Sequence, residues 1–257
     1  MRTRYRVALN GQNLDVIAEE IMILDVGYQQ TAIVAQEHVL AGRNGTIVSG
    51  RRVERNNVTV TVEIHTQDVE RRQEICAMMQ VWAMGGGWLT VNSRPNQRLL
   101  VRCDRPPVIG SDLKWTGKIT IGFVATEKPF WEDITERAVH VGNGEAGRMY
   151  VKGSTEAVKV SASVVNNSGK TMNRMSVQAG ETSFAFENLS LESGKTLEIG
   201  EDEAGYLYIR AGGESKLNKR TAESDDELEI RCNTHETVRV EADGDVLATF
   251  KARGLYM

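Results

Sequence analysis

The hydrophobic and polar residues of this chain alternate over short stretches, which is the pattern of half-buried β-strands. In one such stretch Val58, Val60, Val62 and Ile64 occupy every second position, with polar residues between them. Successive side chains of a strand point to opposite faces of its sheet, so this stretch predicts a strand with one face in a core. Similar short stretches recur along the chain, and we therefore expect a mainly β protein.

A single segment departs from this period and predicts an α-helix from about residue 69 to residue 84. Ile75, Met79 and Trp82 recur at i, i+4 and i+7, which places them on one helix face. Asp68 precedes the segment and is able to cap the free amides of the first turn. Three glycines follow and end the helix, because glycine adopts the left-handed C-cap conformation without a steric penalty. We expect this helix to cover one face of a β-layer.

Length and charge distribution predict two domains, residues 1–134 and residues 135–257. A chain of 257 residues is long for one compact domain. The formal net charge is −4, but the first part holds 16 Lys and Arg against 15 Asp and Glu, whereas the second holds 15 against 20. For the first part we expect a β-sandwich or split-barrel-like domain that contains the helix.

The second part contains ten short strand candidates at roughly even spacing and no amphipathic helix. Turn-forming residues separate several of them, for example at 142–144 and at 166–169. This arrangement predicts a β-sandwich. The candidates are 139–141, 149–151, 158–164, 175–179, 182–187, 196–199, 206–209, 227–232, 237–242 and 246–252.

A basic, glycine-broken segment from about residue 40 to residue 57 predicts an extended arm or hairpin in the first part. Two interpretations of its arginines stay open. They are charges on a solvated edge that block unwanted strand addition, or they contact an acidic surface of another subunit. Because no aromatic residues interleave for base stacking, we expect no nucleic-acid partner. The candidate interface residues are Arg43, Asn44, Arg51, Arg52 and Arg55.

Residues with catalytic or metal chemistry are sparse and widely spaced. The three cysteines fit neither a disulfide framework nor a zinc knuckle, and the close pair Cys232 and His235 has no second pair to complete a zinc site. The glycine run follows a helix instead of preceding one, which is the wrong side for a phosphate loop. We therefore expect no catalytic residue, no metal, no cofactor and no enzymatic activity. No apolar stretch approaches the ~20 residues that cross a bilayer, so we expect no membrane insertion.

Aromatic residues make up only 6% of the chain. Tyr206 and Tyr208 lie two positions apart and therefore share one sheet face, on which they are candidates for contact with a glycan. Trp131 and Tyr256 are further candidates for a sugar-binding face. The alternative for all four is packing in a core or between domains.

The order of the elements resembles that of siphophage distal tail proteins, a family that also occurs in prophages. The resemblance rests on the arm and alternating strand LAGRNGTIVSGRRVERNNVTVTVEI, the helix VERRQEICAMMQVWAM, the strand–loop–strand WLTVNSRPNQRLLVRC and the closing strand KITIGFVATEKPFWED. The second part is similar to the galectin-like sandwich of that family.

This resemblance implies a structural protein of a long-tailed bacteriophage or prophage. It implies a hexameric ring that joins the tail tube to the tail-tip or adhesion apparatus, with the arm reaching a neighbouring subunit. The implied partners are the tail tube protein, a tail-tip hub or tail-associated lysin, and receptor-binding or adhesion proteins. The implied location is the virion tail tip, after synthesis in the host cytoplasm. The alternative function is that of a carbohydrate-binding β-sandwich protein that contacts host cell-wall sugars.

Overall fold

The structure is a computed structural model that describes residues 5–29, 33–39, 46–108, 117–202 and 205–257. It is mainly β, as predicted. The chain forms two compact units, Met1–Glu132 with Met257, and Asp133–Tyr256.

The first unit contains one α-helix among its described residues, α1 (Val69–Met84), and a set of strands. The strands are β1 (Val7–Leu9), β2 (Gln12–Asn13), β3 (Ile21–Tyr28), β4 (Ile33–Val39), β5 (Thr46–Val53), β6 (Asn57–Ile64), β7 (Gly87–Val91), β8 (Gln97–Arg105), β9 (Lys118–Ala125) and β10 (Trp131–Asp133), the last of which crosses into the second unit.

Most of these strands form one antiparallel sheet, in the order β2-β1-β7-β8-β9-β6-β3. β6 lies between β3 and β9, and its alternating residues Val58, Val60, Val62 and Ile64 are all buried, as the pattern predicts. Each such side chain contributes about 1.5–3 kcal/mol when it leaves water. The alternation therefore fixes which face of the sheet carries the core.

Helix α1 begins and packs as its sequence predicts. The Asp68 carboxylate accepts hydrogen bonds from the backbone amides of Glu70 (2.9 Å) and Arg71 (3.4 Å). Met79 is fully buried, and the Trp82 ring meets Phe123 of β9 edge-on at 5.9 Å. The buried residues of the helix are Ile75, Cys76, Met79, Trp82 and Ala83.

The glycines after the helix end it and also make room for a side chain from the turn that follows β1. Gly86 is left-handed, with φ of +58°. A Cβ on Gly87 would lie 2.2 Å from the Asn10 side chain. That side chain donates to the Gly86 carbonyl (2.8 Å) and accepts from the Trp88 amide (2.9 Å). The helix exit is therefore tied to the turn after β1.

The second unit is built from short antiparallel strands. They are β11 (Arg137–Gly142), β12 (Ala146–Tyr150), β13 (Ala157–Lys159), β14 (Ser161–Asn166), β15 (Met175–Ala179), β16 (Thr182–Phe186), β17 (Thr196–Glu201), β18 (Leu207–Ala211), β19 (Glu214–Ser215), β20 (Glu229–Arg231), β21 (His235–Ala242), β22 (Val246–Ala252) and β23 (Leu255–Tyr256).

These strands form two main sheets, β11-β22-β14-β17-β18-β19 and β12-β21-β15-β16, and a two-stranded pair of β13 with β20. The inward residues of both main sheets, among them Phe184, Phe186 and Phe250, belong to one buried apolar cluster. Two antiparallel sheets that share a core form a β-sandwich, as predicted.

The predicted strand 158–164 is divided in the structure. β13 pairs with β20, whereas β14 pairs with β17 and β22. Val158, Val160, Ala162 and Val164 are all buried, so the alternation of burial continues through the break. Alternation reports which face is covered and does not report which strand is the hydrogen-bonding neighbour, and it therefore cannot reveal this division. The two- and three-residue strands β2, β10, β19 and β23 are too short to alternate, and the pattern does not predict them.

Asn166 is a fully buried polar residue at the end of β14. Its amide nitrogen donates to the carbonyls of Lys170 and Leu191, both at 2.8 Å, and its oxygen accepts from the Ser168 amide and hydroxyl at 2.9 and 2.7 Å. This side chain fixes the predicted turn at 166–169.

We expect Asn166→Ala to destabilise the second unit by about 2–3 kcal/mol, because buried carbonyls lose their donors. The matched control Asn167→Ala removes an exposed amide and should change stability by less than about 0.5 kcal/mol. All four tryptophans belong to the first unit. During urea unfolding, circular dichroism reports on both units, whereas tryptophan fluorescence reports on the first unit alone. The difference between the two curves therefore gives the unfolding transition of the second unit. Equal midpoints for the two variants would contradict the role given to Asn166.

Candidate assembly surfaces

Part of the predicted arm forms β5, which pairs with the preceding strand β4 in a two-stranded ribbon, whereas the predicted residues 40–45 lie outside the described residues. The register of the ribbon pairs Ile33 with Val53, Val34 with Arg52 and Ala35 with Arg51, and it shifts between Gln36 and Glu37. Within the described residues, β4 and β5 pair only with each other. An isolated two-stranded ribbon is at best marginally stable in water, so this one gains from a further contact.

The ribbon exposes apolar side chains at the end that joins it to the main sheet. Ile33 is 54% exposed, and Val34 beside it is also exposed. Large apolar side chains on a ribbon that lacks a core of its own are typical of surfaces that bind another protein. We call the described residues 33–39 and 46–55 the arm ribbon from here on.

The base of the arm ribbon is held by hydrogen bonds of the main sheet. The Gln29 amide donates to the Asn57 carbonyl (3.0 Å), and the Asn57 amide side chain donates to Gln29 Oε1 (2.5 Å). Asn56 is buried, and its side chain donates to the Pro129 carbonyl at 2.5 Å. The chain therefore leaves and re-enters the sheet at adjacent, fixed positions.

The predicted interface residues fall on different parts of this arm. The backbones of Arg51 and Arg52 belong to β5, and Arg55 is exposed between β5 and β6. Arg43 and Asn44 lie outside the described residues. Their role in an oligomer interface stays a prediction.

A second surface, which sequence reasoning missed, is the outer face of α1. Met78, Val81 and Met84 are exposed, although the helix already buries Met79 and Trp82 on its inner face. The pattern contained this information, because the second half of the helix is apolar on both faces. The spacing of Ile75, Met79 and Trp82 identifies only the inner face and leaves the apolar residues of the outer face unassigned.

The first half of α1 is charged instead of apolar. Arg71 Nε donates to Glu20 Oε1 at 2.9 Å, and Arg71 Nη1 donates to Glu74 Oε2 at 3.1 Å. The hydrogen bond from Arg71 lowers the pKa of the Glu20 carboxyl, and the same bonds raise the pKa of the guanidinium. An open cleft of about 630 Å³ adjoins this pair, with His65 and Glu19 in its lining. Arg71, the arginine in the lining of this cleft, is therefore already paired with carboxylates.

The two tyrosines proposed for glycan contact have unlike surroundings. Tyr206 precedes β18 and is 73% exposed. Tyr208 lies on β18 opposite Gly200, and the Arg210 guanidinium lies 4.5 Å from its ring centroid. Arg210 in turn donates to Glu198 at 2.6 Å. Glycan contact stays a prediction, and Arg210 already occupies a position over the Tyr208 ring.

Other candidates for chemistry do not converge. Cys232 lies beside the Thr155 hydroxyl at 3.6 Å, whereas the His235 ring lies 4.8 Å from that of Tyr150. Trp131 is buried, with its ring 5.8 Å from that of Tyr28. Among the described residues, no group of three or more His, Cys, Asp and Glu side chains is placed to hold a metal ion. Helices in the described part of the chain are too short or too polar to span a membrane.

The fold and these surfaces define a mainly β protein with a sheet-and-helix unit, a sandwich unit and a separate two-stranded ribbon. No known family model and no curated protein sequence matches the chain. The crystal structure of the Dit protein of phage SPP1, described as a paradigm of the hub adsorption apparatus in phages that infect Gram-positive bacteria, shares its fold. The TM-score is 0.71 at 11% identity, over 97% of this chain and 98% of SPP1 Dit.

Two structures of the phage p2 baseplate in its activated conformation, with Ca and with Sr, also match. Their TM-scores are 0.49 and 0.48 at 10% and 11% identity, over 99% and 97% of this chain and 98% and 97% of theirs, and we base no argument on them. The predicted resemblance to distal tail proteins is therefore confirmed for the fold, through SPP1 Dit.

Proposed function

We propose that this chain is a distal tail protein, a structural component at the tail tip of a long-tailed phage or prophage. The observation that carries the proposal is the shared fold with SPP1 Dit, which extends over nearly the full length of both chains and includes both units. A fold match over one sandwich alone would carry far less, because sandwiches serve many functions. The proposed function requires no catalytic residue and no cofactor.

In this proposal the first unit builds a closed hexameric ring and the arm ribbon joins neighbouring copies. Ordering an extended ribbon in a monomer has an entropic cost that few contacts offset. Docked on a neighbour, Ile33 and Val34 each gain part of the about 1.5–3 kcal/mol that full burial of such a side chain supplies, because both are only partly exposed in one chain. A head-to-tail contact that closes on itself satisfies both sides of every interface, so a ring is the natural assembly.

The remaining partners follow from the same proposal. The ring binds the tail tube protein on one side and a tail-tip hub or tail-associated lysin on the other. The second unit, which we interpret as a galectin-like sandwich, contacts receptor-binding or adhesion proteins. These partners place the protein at the virion tail tip after its synthesis in the host cytoplasm.

The proposal predicts a particle of about 171 kDa, six times the 28.5 kDa chain. Light scattering of the full-length chain over a series of concentrations should show this mass, and electron microscopy should show rings with six-fold symmetry. A chain that stays at 28.5 kDa at every concentration and gives no rings would contradict the proposed function.

A further inference from the structure

The six-stranded sheet of the second unit carries a row of hydrogen-bonding side chains, one from each of five neighbouring strands. The register aligns His140 of β11 with Thr249 of β22, and Thr249 with Ser163 of β14. It continues from Ser163 to Glu198 of β17, and from Glu198 to Arg210 of β18. Neighbouring strands lie about 4.8 Å apart, so the row extends over about 19 Å. We call these five residues the polar row.

The polar row lies on the outer face of the sheet, because the adjacent residue of each strand points into the core. Those adjacent residues all belong to the buried apolar cluster of the sandwich; they are Val141, Ala248, Val164, Leu197 and Ile209. Successive side chains of a strand point to opposite faces. The five side chains of the polar row accordingly keep contact with solvent, and a dissolved ligand is able to reach them.

Contacts within the polar row hold its side chains in place. His140 Nδ1 lies 2.9 Å from the Thr249 hydroxyl, and Arg210 Nε donates to Glu198 Oε2 at 2.6 Å. The Arg210 guanidinium also lies 4.5 Å from the centroid of the Tyr208 ring. The bond to Glu198 uses one of the five N–H donors of a guanidinium. Side chains that are ordered beforehand lose less conformational entropy when a ligand binds.

Apolar and aromatic side chains border the polar row on its two sides. On one side Leu247, which is 46% exposed, is aligned with Val165. On the other side Tyr208 is aligned with Gly200, where a Cβ would lie 2.9 Å from the Tyr208 hydroxyl. The glycine therefore lets the tyrosine side chain lie close to the sheet. Hydrogen-bonding groups between apolar borders match a ligand that has both hydroxyl groups and apolar C–H faces.

The charges on this face are paired, and this decides the class of ligand. Arg210 is paired with Glu198. Lys251 Nζ, on the same strand as Thr249, lies 3.8 Å from a Glu136 carboxylate oxygen. A surface whose charges cancel attracts neither a polyanion nor a polycation at long range. The face therefore suits a neutral ligand better than a nucleic acid or a phosphate-rich polymer.

We propose that the polar row binds a neutral oligosaccharide. The Arg210–Glu198 pair and the hydroxyls of Ser163 and Thr249 bind sugar hydroxyls, and Leu247 contacts a C–H face of the sugar. This activity belongs to the second unit and goes beyond the proposed structural role. It also moves the predicted glycan contact from the tyrosine rings to the groups beside them, because Arg210 lies over the Tyr208 ring.

The test measures binding of the full-length chain to immobilised oligosaccharides. The neutral probes consist of glucose, galactose, rhamnose or N-acetylglucosamine, and an oligomer of glycerol phosphate is the anionic probe. An open sheet face encloses less of a ligand than a pocket does, so each copy should bind weakly. Presentation of many probes on one surface compensates for this through avidity. We expect binding to at least one neutral probe and weaker binding to the anionic probe, with Kd then measured by calorimetry.

Two variants test whether the polar row is the site. Arg210→Gln removes the charged donors and should raise Kd at least about tenfold. Thr249→Val removes one hydroxyl and should raise Kd about three- to tenfold. The matched controls are Arg239→Gln and Thr237→Val on the outer face of the four-stranded sheet, where Arg239 is paired with Glu241 at 2.8 Å. Both controls should bind like the unaltered chain.

The outcomes separate this inference from the proposed function. Binding to a neutral probe that both site variants weaken and both controls retain supports the inference. It is overturned if no neutral probe binds, if the anionic probe binds at least as tightly, if either site variant binds normally, or if the controls lose binding equally. Rings without sugar binding would leave the proposed function intact, whereas sugar binding by a chain that never forms rings would contradict only the ring.

Discussion

Replacing residues 31–54 by Gly-Ser-Gly is expected to abolish the proposed ring and to leave a folded monomer. Gln29 and Asn57 are hydrogen-bonded neighbours at the base of the arm ribbon, so a short turn is able to join them without distorting β3 or β6. The main sheet loses no strand, because the ribbon belongs to a separate two-stranded sheet. The arm supplies one side of every proposed interface, and removing it therefore removes all contacts of that kind.

Light scattering measures whether the variant is monomeric, and the midpoint of thermal unfolding measures whether it is still folded. The variant should show a mass close to that of one chain at concentrations where the unaltered protein assembles, with an unchanged midpoint. Ser49→Ala is a suitable control inside the ribbon, because it removes only a 3.3 Å hydrogen bond to the Gln36 carbonyl and should leave assembly unchanged. Rings formed without the ribbon would show that another surface joins the subunits.

Met79→Ala is expected to destabilise the first unit by about 2–5 kcal/mol, because it leaves a cavity beneath α1. Met79 is fully buried, and the surrounding sheet relaxes only in part when a buried side chain is truncated. The adjacent Met78→Ala removes the same atoms from an exposed position and should change monomer stability by less than about 0.5 kcal/mol.

Tryptophan fluorescence reports on the unfolding of the first unit alone, since all four tryptophans belong to that unit. Urea unfolding is best followed at a concentration at which the protein is monomeric, so that assembly does not add to stability. Similar unfolding free energies for the two alanine variants would show that the inner face of the helix is not the anchoring face that its burial indicates.

Short stretches of sequence are sufficient to predict the features that depend only on residues close together in the chain. The alternation from Val58 to Ile64 predicts a half-buried strand, and the spacing of Ile75, Met79 and Trp82 predicts the buried helix face. Both are confirmed by burial in the structure. Capping by Asp68 is a contact within one turn, and it too is predictable.

The division of the predicted strand 158–164 shows where local pattern stops being informative. Its alternation of buried positions is unbroken, yet β13 and β14 have different neighbours. The bounds of β3 illustrate the same limit. Its apolar run in the sequence, residues 21–24, is shorter than the strand, which continues to Tyr28 because β6 pairs with it over that length. Strand partners come from distant parts of the chain, and the periodicity of one strand does not predict which strand pairs with it.

The candidate site is predictable only in part for a related reason. Composition by itself locates the basic arm and its arginines Arg51, Arg52 and Arg55. It does not distinguish Met78 and Val81 from Met79 and Trp82, since all four are apolar residues of one helix. Exposure is decided by what packs across the helix, and one sheet is able to cover only one side of it. The tertiary structure alone therefore decided that the ribbon pairs only with itself among the described residues and that Val81 and Met84 face outward.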